Sequence, residues 1–388
     1  MKKVLIVGNL YSLAKKMASI VDKVFVIPGN PSFVDFAEIV DIREDNAIDV
    51  LNFVLENDID LTIVTSCKGL KSDLVSLFLN NNKPIFAAPF DSANYTLSLS
   101  AVKKLLYKLK VPTPKFAIFD KNSLAFDYLQ KANFPLIISN DDNSKRKCCT
   151  TIASARNYVD DLFMYGEDKV VFQDYVYGHE FTLYVVSDGY QILPLTTVAN
   201  FKFSESGDGG FLSNGVGAYV PDNKISNSIV EDILNNVALR FIQHMQKNGT
   251  PYVGILGIDA VLLNDNSFSV LGFKPFFSDF DCNAVLNSID ENLYELFDAC
   301  ANGFFADEYE DILVNDNISV SCVIKSTKGS IPLETIQNLD SEITFLNDDK
   351  SLVLTSCAKT LSRAKNVLQE DISFLPIEGI KCRSDIYS

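Results

Sequence analysis

The 388-residue chain has no tryptophan and only two histidines, His179 and His244. Its eight cysteines are scattered, with no C-x-x-C and only Cys148-Cys149 close together. A Cys/His zinc centre is therefore not expected, and no metal ligand is assigned. Free thiols in a reducing compartment are the simplest reading, which makes the expected location cytoplasmic. Basic charge is scarce too: 34 Lys+Arg against 50 Asp+Glu leave a net −16. That argues against nucleic acid or an anionic membrane as partner, but not against a small anion in a local pocket. Long apolar runs are missing, so no membrane helix is expected. The apolar opening breaks at Gly8-Asn9, too early for a signal peptide. No G-x-G-x-x-G occurs, so a dinucleotide site has little support.

What is present is an ordinary globular composition, 47% hydrophobic and 22% charged, in a chain too long for one core. Lys3–Val7 is an apolar run of strand type, followed by Leu10, Leu13, Ala14, Met17, Ala18 and Val21 at helical spacing. Val24–Ile27, Leu61–Thr65 and Pro84–Ala88 read as strands; Ala47–Glu56 and Leu70–Leu79 read as helices. Such alternation implies parallel βαβ units with ligands at the C-terminal strand ends. Gly8-Asn9, Pro28–Asn30 and Thr65–Lys68 would then share one rim.

Ser92–Leu109 reads as one helix with a basic face (Lys103, Lys104, Lys108), ended by V-P-T-P at 111–114. Pro135–Ser139 and Val170–Tyr175 read as strands. Between them, Asn140–Thr150 reads as a polar loop whose Lys145-Arg146-Lys147 run faces solvent in the simplest case. His179 reads as an exposed hairpin residue before a strand at Phe181–Val186. Ile225–Lys247 is the clearest helix, with Ile229, Ile233, Val237, Phe241 and Met245 four apart. Tyr252–Leu263 and Phe268–Asp281 read as strands.

Gly207–Pro221, GDGGFLSNGVGAYVP, carries five glycines and no helix or strand period, so a loop is expected. Its order, D-x-G-x-x-x-x-G-x-G-A-Y from Asp208 to Tyr219, resembles the substrate loop of the phosphoribosylamine–glycine ligase (GAR synthetase) family. P-G-N at 28–30, V-P-T at 111–113 and C-R-S-D-I at 382–386 also resemble that family, in order along nearly the whole chain. The resemblance implies an α/β fold in three parts. These are a Rossmann-like (pre-ATP-grasp) N-terminal domain at 1–110, an ATP-grasp domain at 111–310 with a small lid at about 113–175, and a C-terminal α/β domain at 311–388.

The resemblance further implies that Pro28, Gly29, Asn30, Asp208, Gly210, Gly215, Gly217 and Asp279 bind a phosphoribosyl-type substrate. It implies that Lys147, Gln173, Asp174, Val176, Glu180 and Lys274 meet ATP. Several positions depart from the family pattern. The strand Lys of the phosphate loop is Ser139, and Asp142, Arg146 and Cys148 stand for its glycines. A second family Lys falls at Leu99 or Ser100. The Glu and Asn that bind magnesium in the family correspond to Gly272 and Lys274, and an Arg to Phe276. Lysine offers no oxygen to Mg²⁺ and repels it by roughly 4 kcal/mol per unit charge at 4 Å. Magnesium at the family's place is therefore not expected, and Lys274 is expected to pair with Asp259 or Asp279. The first expectation is a family member with an eroded ATP/Mg site that binds a ligand or regulates, with no catalytic residue assigned. The alternatives are an active but rebuilt carboxylate–amine ligase and a protein-interaction scaffold.

Overall fold

A computed structural model describes residues 1–331, 336, 339–348, 350–375 and 379–387. The rest of the expected C-terminal domain lies outside the described residues. The chain opens with β1 (Lys3–Val7), α1 (Tyr11–Ala18), β2 (Lys23–Ile27), β3 (Glu38–Ile39), α2 (Ala47–Asn57), β4 (Leu61–Val64), α3 (Cys67–Lys71), α4 (Leu74–Asn80) and β5 (Ile85–Phe86). These strands form one parallel sheet in the order β3-β2-β1-β4-β5. The alternation of β1 explains its unbroken apolar sequence. Leu5 and Val7 enter one core with Phe25 and Ile27, while Val4 and Ile6 enter another with Val24 and Val26. A strand buried on both faces has no polar side to show.

The expected helix at 92–109 is two helices, α5 (Phe90–Leu97) and α6 (Leu99–Lys108). Ser98 is extended between them, and its hydroxyl accepts from Ala101 N to cap α6. Asp141 completes that cap, accepting from Ser100 N at 2.8 Å and from the Ser98 hydroxyl at 2.9 Å. A four-stranded antiparallel sheet follows, built from β6 (Phe116–Phe119), β7 (Leu136–Asn140), β8 (Arg146–Cys149) and β9 (Val170–Asp174) in the order β6-β9-β7-β8. Helices α7 (Asn122–Leu129) and α8 (Ile152–Met164) cover it. The basic run expected in a loop therefore opens an edge strand.

The largest sheet is antiparallel, in the order β14-β13-β10-β11-β12-β15-β17-β16, with β18 added to β15. Its strands are β10 (His179–Asp188), β11 (Ile192–Glu205), β12 (Gly209–Val220), β13 (Val253–Leu262), β14 (Phe268–Lys274), β15 (Ile318–Ser326), β16 (Glu342–Phe345), β17 (Ser351–Ala358) and β18 (Ile380–Lys381). The glycine-rich stretch is thus a strand rather than a loop. Its glycines answer to close neighbours: a Cβ on Gly215 would lie 2.2 Å from the Phe280 ring, and one on Gly217 would lie 2.6 Å from Ser321 O. The expected strand at 268–281 stops at Lys274, before Pro275, which has no N–H to continue the ladder.

The long amphipathic helix is present as Asn227–Lys247, but Leu234–Ala238 winds as a π-helical segment in its middle. His179 is no free hairpin residue: its Nε2 meets Asp222 Oδ2 at 2.6 Å. Among the described residues no helix is long and apolar enough to cross a membrane.

Candidate functional site

The three sheets meet around a cavity of about 870 Å³, within the size range of small-molecule sites. The parallel sheet supplies Asn9, Leu10, Thr65 and Cys67 from strand ends, as the βαβ pattern requires. The Pro28–Asn30 turn belongs to the same rim but does not line the cavity. Asn30 caps a short turn through Ser32 N at 3.0 Å and reaches Asn347, which does line it, at 3.3 Å.

One end of the cavity is apolar. Ile137 faces it from the small sheet, Val176 from the segment after β9, Leu99 and Val102 from α6, and Leu271 and Phe273 from β14. Gln173 and Asp174 also line the cavity. The Gln173 Oε1 and Ser139 Oγ atoms are buried without a hydrogen-bond partner. Lys103 lies beneath this wall. Its ammonium is fully buried, with Thr113 Oγ1 at 2.9 Å and Val270 O at 3.5 Å for company. Burial lowers its pKa to about 7.

The other end is a network of charges. Thr182, Asp259 and Gly272 are neighbours across β10, β13 and β14. The Asp259 carboxylate receives Lys274 Nζ at 3.1 Å, Lys202 Nζ at 3.3 Å and the Thr182 hydroxyl at 2.5 Å. Lys202, only 5% exposed, also meets Glu180 at 3.1 Å. Burial pushes the Asp259 pKa up, but Lys202 and Lys274 outweigh it and hold the carboxyl well below the usual range. Burial likewise disfavours the Lys202 ammonium, yet Asp259 and Glu180 keep its pKa raised. Lys274 therefore pairs with Asp259, as one of the two expectations had it.

Arg146 reaches into the same end. It donates from an Nη to Ser213 O on β12, while its Nε is buried with no hydrogen-bond partner. Lys147, next along the edge strand, points away and lies 5.5 Å from the Tyr158 ring centroid, outside the cavity lining. Lys202 was not singled out from sequence, and Arg146 was read only as one of a basic run facing solvent. Arg146 could have been found had 146–149 been taken as a strand, since alternate residues of a strand face opposite sides.

Gly215 and Asp279 line the cavity, whereas Asp208, Gly210 and Gly217 do not. Asp208 sits at the hairpin tip before β12 and pairs with Arg383 at 2.8 Å. Arg383 also meets Asp385 at 2.7 Å, Gly207 N donates to Asp385 at 3.1 Å, and the Tyr219 hydroxyl donates to Ile386 O at 2.5 Å. The two ends of the glycine-rich motif and the C-R-S-D-I ending thus bind each other. Asp281, near the charged end, accepts from Tyr184 Oη at 3.0 Å and Ser278 N at 2.9 Å; burial raises its pKa to about 6 although Lys274 opposes the shift.

Two family models match the chain: the phosphoribosylglycinamide synthetase N domain over residues 2–95 and its ATP-grasp (A) domain over 98–282. A phosphoribosylamine–glycine ligase of Lactococcus lactis is 30% identical over 301 residues, covering 75% of this chain and 73% of its own. Another, from Caldanaerobacter subterraneus, is 26% identical over 422 residues and covers 99% of each chain. Among solved structures, the phosphoribosylamine–glycine ligase of Thermotoga maritima superposes with a TM-score of 0.77 at 16% identity, covering 99% of both chains.

Proposed function

The chain belongs to the phosphoribosylglycinamide synthetase family of ATP-grasp proteins, and on that premise we propose that it keeps the family's cleft as a ligand-binding site and has lost most or all of the ligation. One observation carries this reading: the Asp259 carboxylate is held between the ammonium groups of Lys202 and Lys274. Gly272, beside Asp259 on the next strand, brings no carboxylate. Magnesium requires oxygen ligands, and this donor set does not fit it. Among the described residues no group of three His, Cys, Asp or Glu side chains could hold a metal ion. Joining a carboxylate to an amine through ATP needs the phosphate charge neutralised in transfer, and here Lys202 and Lys274 are engaged with internal carboxylates.

The test is ADP release from MgATP in the presence of glycine and phosphoribosylamine. The expected rate is at background, with the Lactococcus ligase as the working control. A rate within about tenfold of that control would sink the reading and favour a rebuilt ligase in which Arg146 and Lys202 carry phosphate charge. A pure scaffold is disfavoured by the cavity and by the unpartnered polar atoms that face it.

A further inference from the structure

We infer that Cys382 and Cys322 form a modification site, in which Cys382 reacts with a hydroperoxide and Cys322 then closes a disulfide onto it. All eight cysteines are free thiols in this structure. Cys322 is fully buried in the middle of β15, opposite Gly217 of β12. A Cβ on Gly217 would collide with the Ile386 side chain, so the end of the chain occupies the space above this pair. It arrives there from β18, where Lys381 pairs with Lys325 of β15. Beyond β18 the Arg383 N–H donates to the Cys322 sulfur. Cys382 and Tyr387 pack against the same core as Cys322, and the two thiols hydrogen-bond to each other. Cys148 and Cys149 are adjacent in sequence, but successive residues of β8 point to opposite faces, so they are not set to join.

The surroundings assign the two roles. Cys382 is partly exposed and open to a small oxidant, whereas Cys322 is sealed. The thiolate is the nucleophile. The hydrogen bond from Cys322 holds the Cys382 pKa below the ordinary cysteine value; burial opposes this, and the Tyr387 hydroxyl, 3.2 Å from Cys382 Sγ, adds to it. The same thiol–thiol bond, with burial, raises Cys322, which stays protonated until it is used. With hydrogen peroxide, the Cys382 thiolate attacks one oxygen and the O–O bond breaks. Hydroxide leaves and recovers as water the proton that the thiol had released, and Cys382 becomes a sulfenic acid. The Cys322 sulfur then displaces the sulfenic oxygen, which departs as water with the Cys322 proton. Two thiols are oxidised by two electrons, and one peroxide is reduced to two waters. The bridge fixes the tail that holds the β11–β12 hairpin, through Arg383 to Asp208 at 2.8 Å and Ile386 O to the Tyr219 hydroxyl. That hairpin carries Ser213 and Gly215 into the cleft.

The test is non-reducing peptide mapping by mass spectrometry of the full chain after stoichiometric hydrogen peroxide near neutral pH. A Cys322–Cys382 linked peptide is expected as the main product, reversed by dithiothreitol and formed at least about tenfold faster than oxidation of the exposed Cys67 or Cys357. Cys322→Ala should stop the reaction at a sulfenic acid on Cys382, captured by dimedone, and Tyr387→Phe should slow the first step about threefold. Backbone hydrogen exchange at residues 206–219 should slow on oxidation, and unchanged exchange there would overturn the link to the cleft. Earlier oxidation of Cys67 or Cys357, a bridge between any other pair or between two chains, or passage of Cys382 to sulfinic acid with Cys322 still a thiol would overturn the pairing. The map of the parent chain decides this even if Cys322→Ala does not fold. ADP release with glycine and phosphoribosylamine bears on the loss of ligation alone and leaves this inference standing.

Discussion

The two ends of the cleft solve opposite problems. At the polar end three cations and two carboxylates are gathered, with Lys202 and Asp259 buried and Glu180 and Lys274 partly exposed, and the ammonium groups of Lys202 and Lys274 both meet a carboxylate. At the apolar end the lining looks benign, but beneath it Lys103 is fully buried and has only a hydroxyl and a carbonyl as partners. Burial is therefore a poor guide to electrostatic cost. What matters is whether the buried charge has a counter-charge. The conspicuous cluster is the quiet region, and the hidden lysine is the strained one.

The largest effect should come from unpairing the quiet end. Asp259→Ala leaves Lys202 with Glu180 alone and Lys274 with no carboxylate at this place. Breaking a buried pair from one side costs about 3–5 kcal/mol, and that loss is expected in chemical denaturation at neutral pH. A loss under about 1 kcal/mol would mean that water already solvates these groups, and the contrast between the two ends would collapse.

The second test acts on the hidden lysine, with the opposite sign. Its folded pKa of about 7 lies below the value of 10.5 for a free lysine. Between those values the unfolded chain holds a proton that the folded chain releases, so this residue's contribution to stability rises from pH 7 to pH 10.5 and is flat above. Lys103→Met removes the penalty and fills nearly the same volume. At pH 7 the gain is bounded by roughly 5 kcal/mol from the shift, less about 1–2 kcal/mol for the lost hydrogen bonds. A net stabilisation of about 2–3 kcal/mol is expected at pH 7, with the advantage over the parent shrinking as pH rises towards 10. An unchanged or lowered stability at pH 7 would mean that the ammonium is better solvated than its surroundings indicate.

How much of this was legible beforehand follows the range of the forces involved. The parallel sheet was readable because each strand is a contiguous apolar run and each helix repeats its own period. The family motifs were readable because they are local. β12 was not, because its glycines make room for side chains far away in sequence, Phe280 and Ile386 among them. The Lys202–Asp259 pair joins residues 57 positions apart, and only the register of the large sheet brings them together. The hidden lysine read as part of a basic surface face beside Lys104 and Lys108. Helical spacing orders a face but does not say which neighbour covers it. Of the residues expected to meet ATP, Gln173, Asp174, Val176, Glu180 and Lys274 do line the cleft.

The smallest effect sharpens the contrast most. Arg146 and Lys147 are adjacent, equally basic and drawn from one run of charge, but strand alternation sends them to opposite faces. β8 pairs with β7 so that Arg146 lies opposite Ser139 and Lys147 opposite Ile138. A slip of one residue would exchange their roles completely. Lys147→Ala should change stability by no more than about 0.5 kcal/mol, the loss of an exposed cation near a tyrosine ring, and should leave ligand affinity unaltered. Arg146→Met should lower stability by about 1–3 kcal/mol, because Ser213 O loses a charged donor. If instead Lys147→Ala carries the larger loss, or alone abolishes ligand binding, then β8 is registered the other way. The cation at the polar end would then be the one that resemblance to the family had pointed to first.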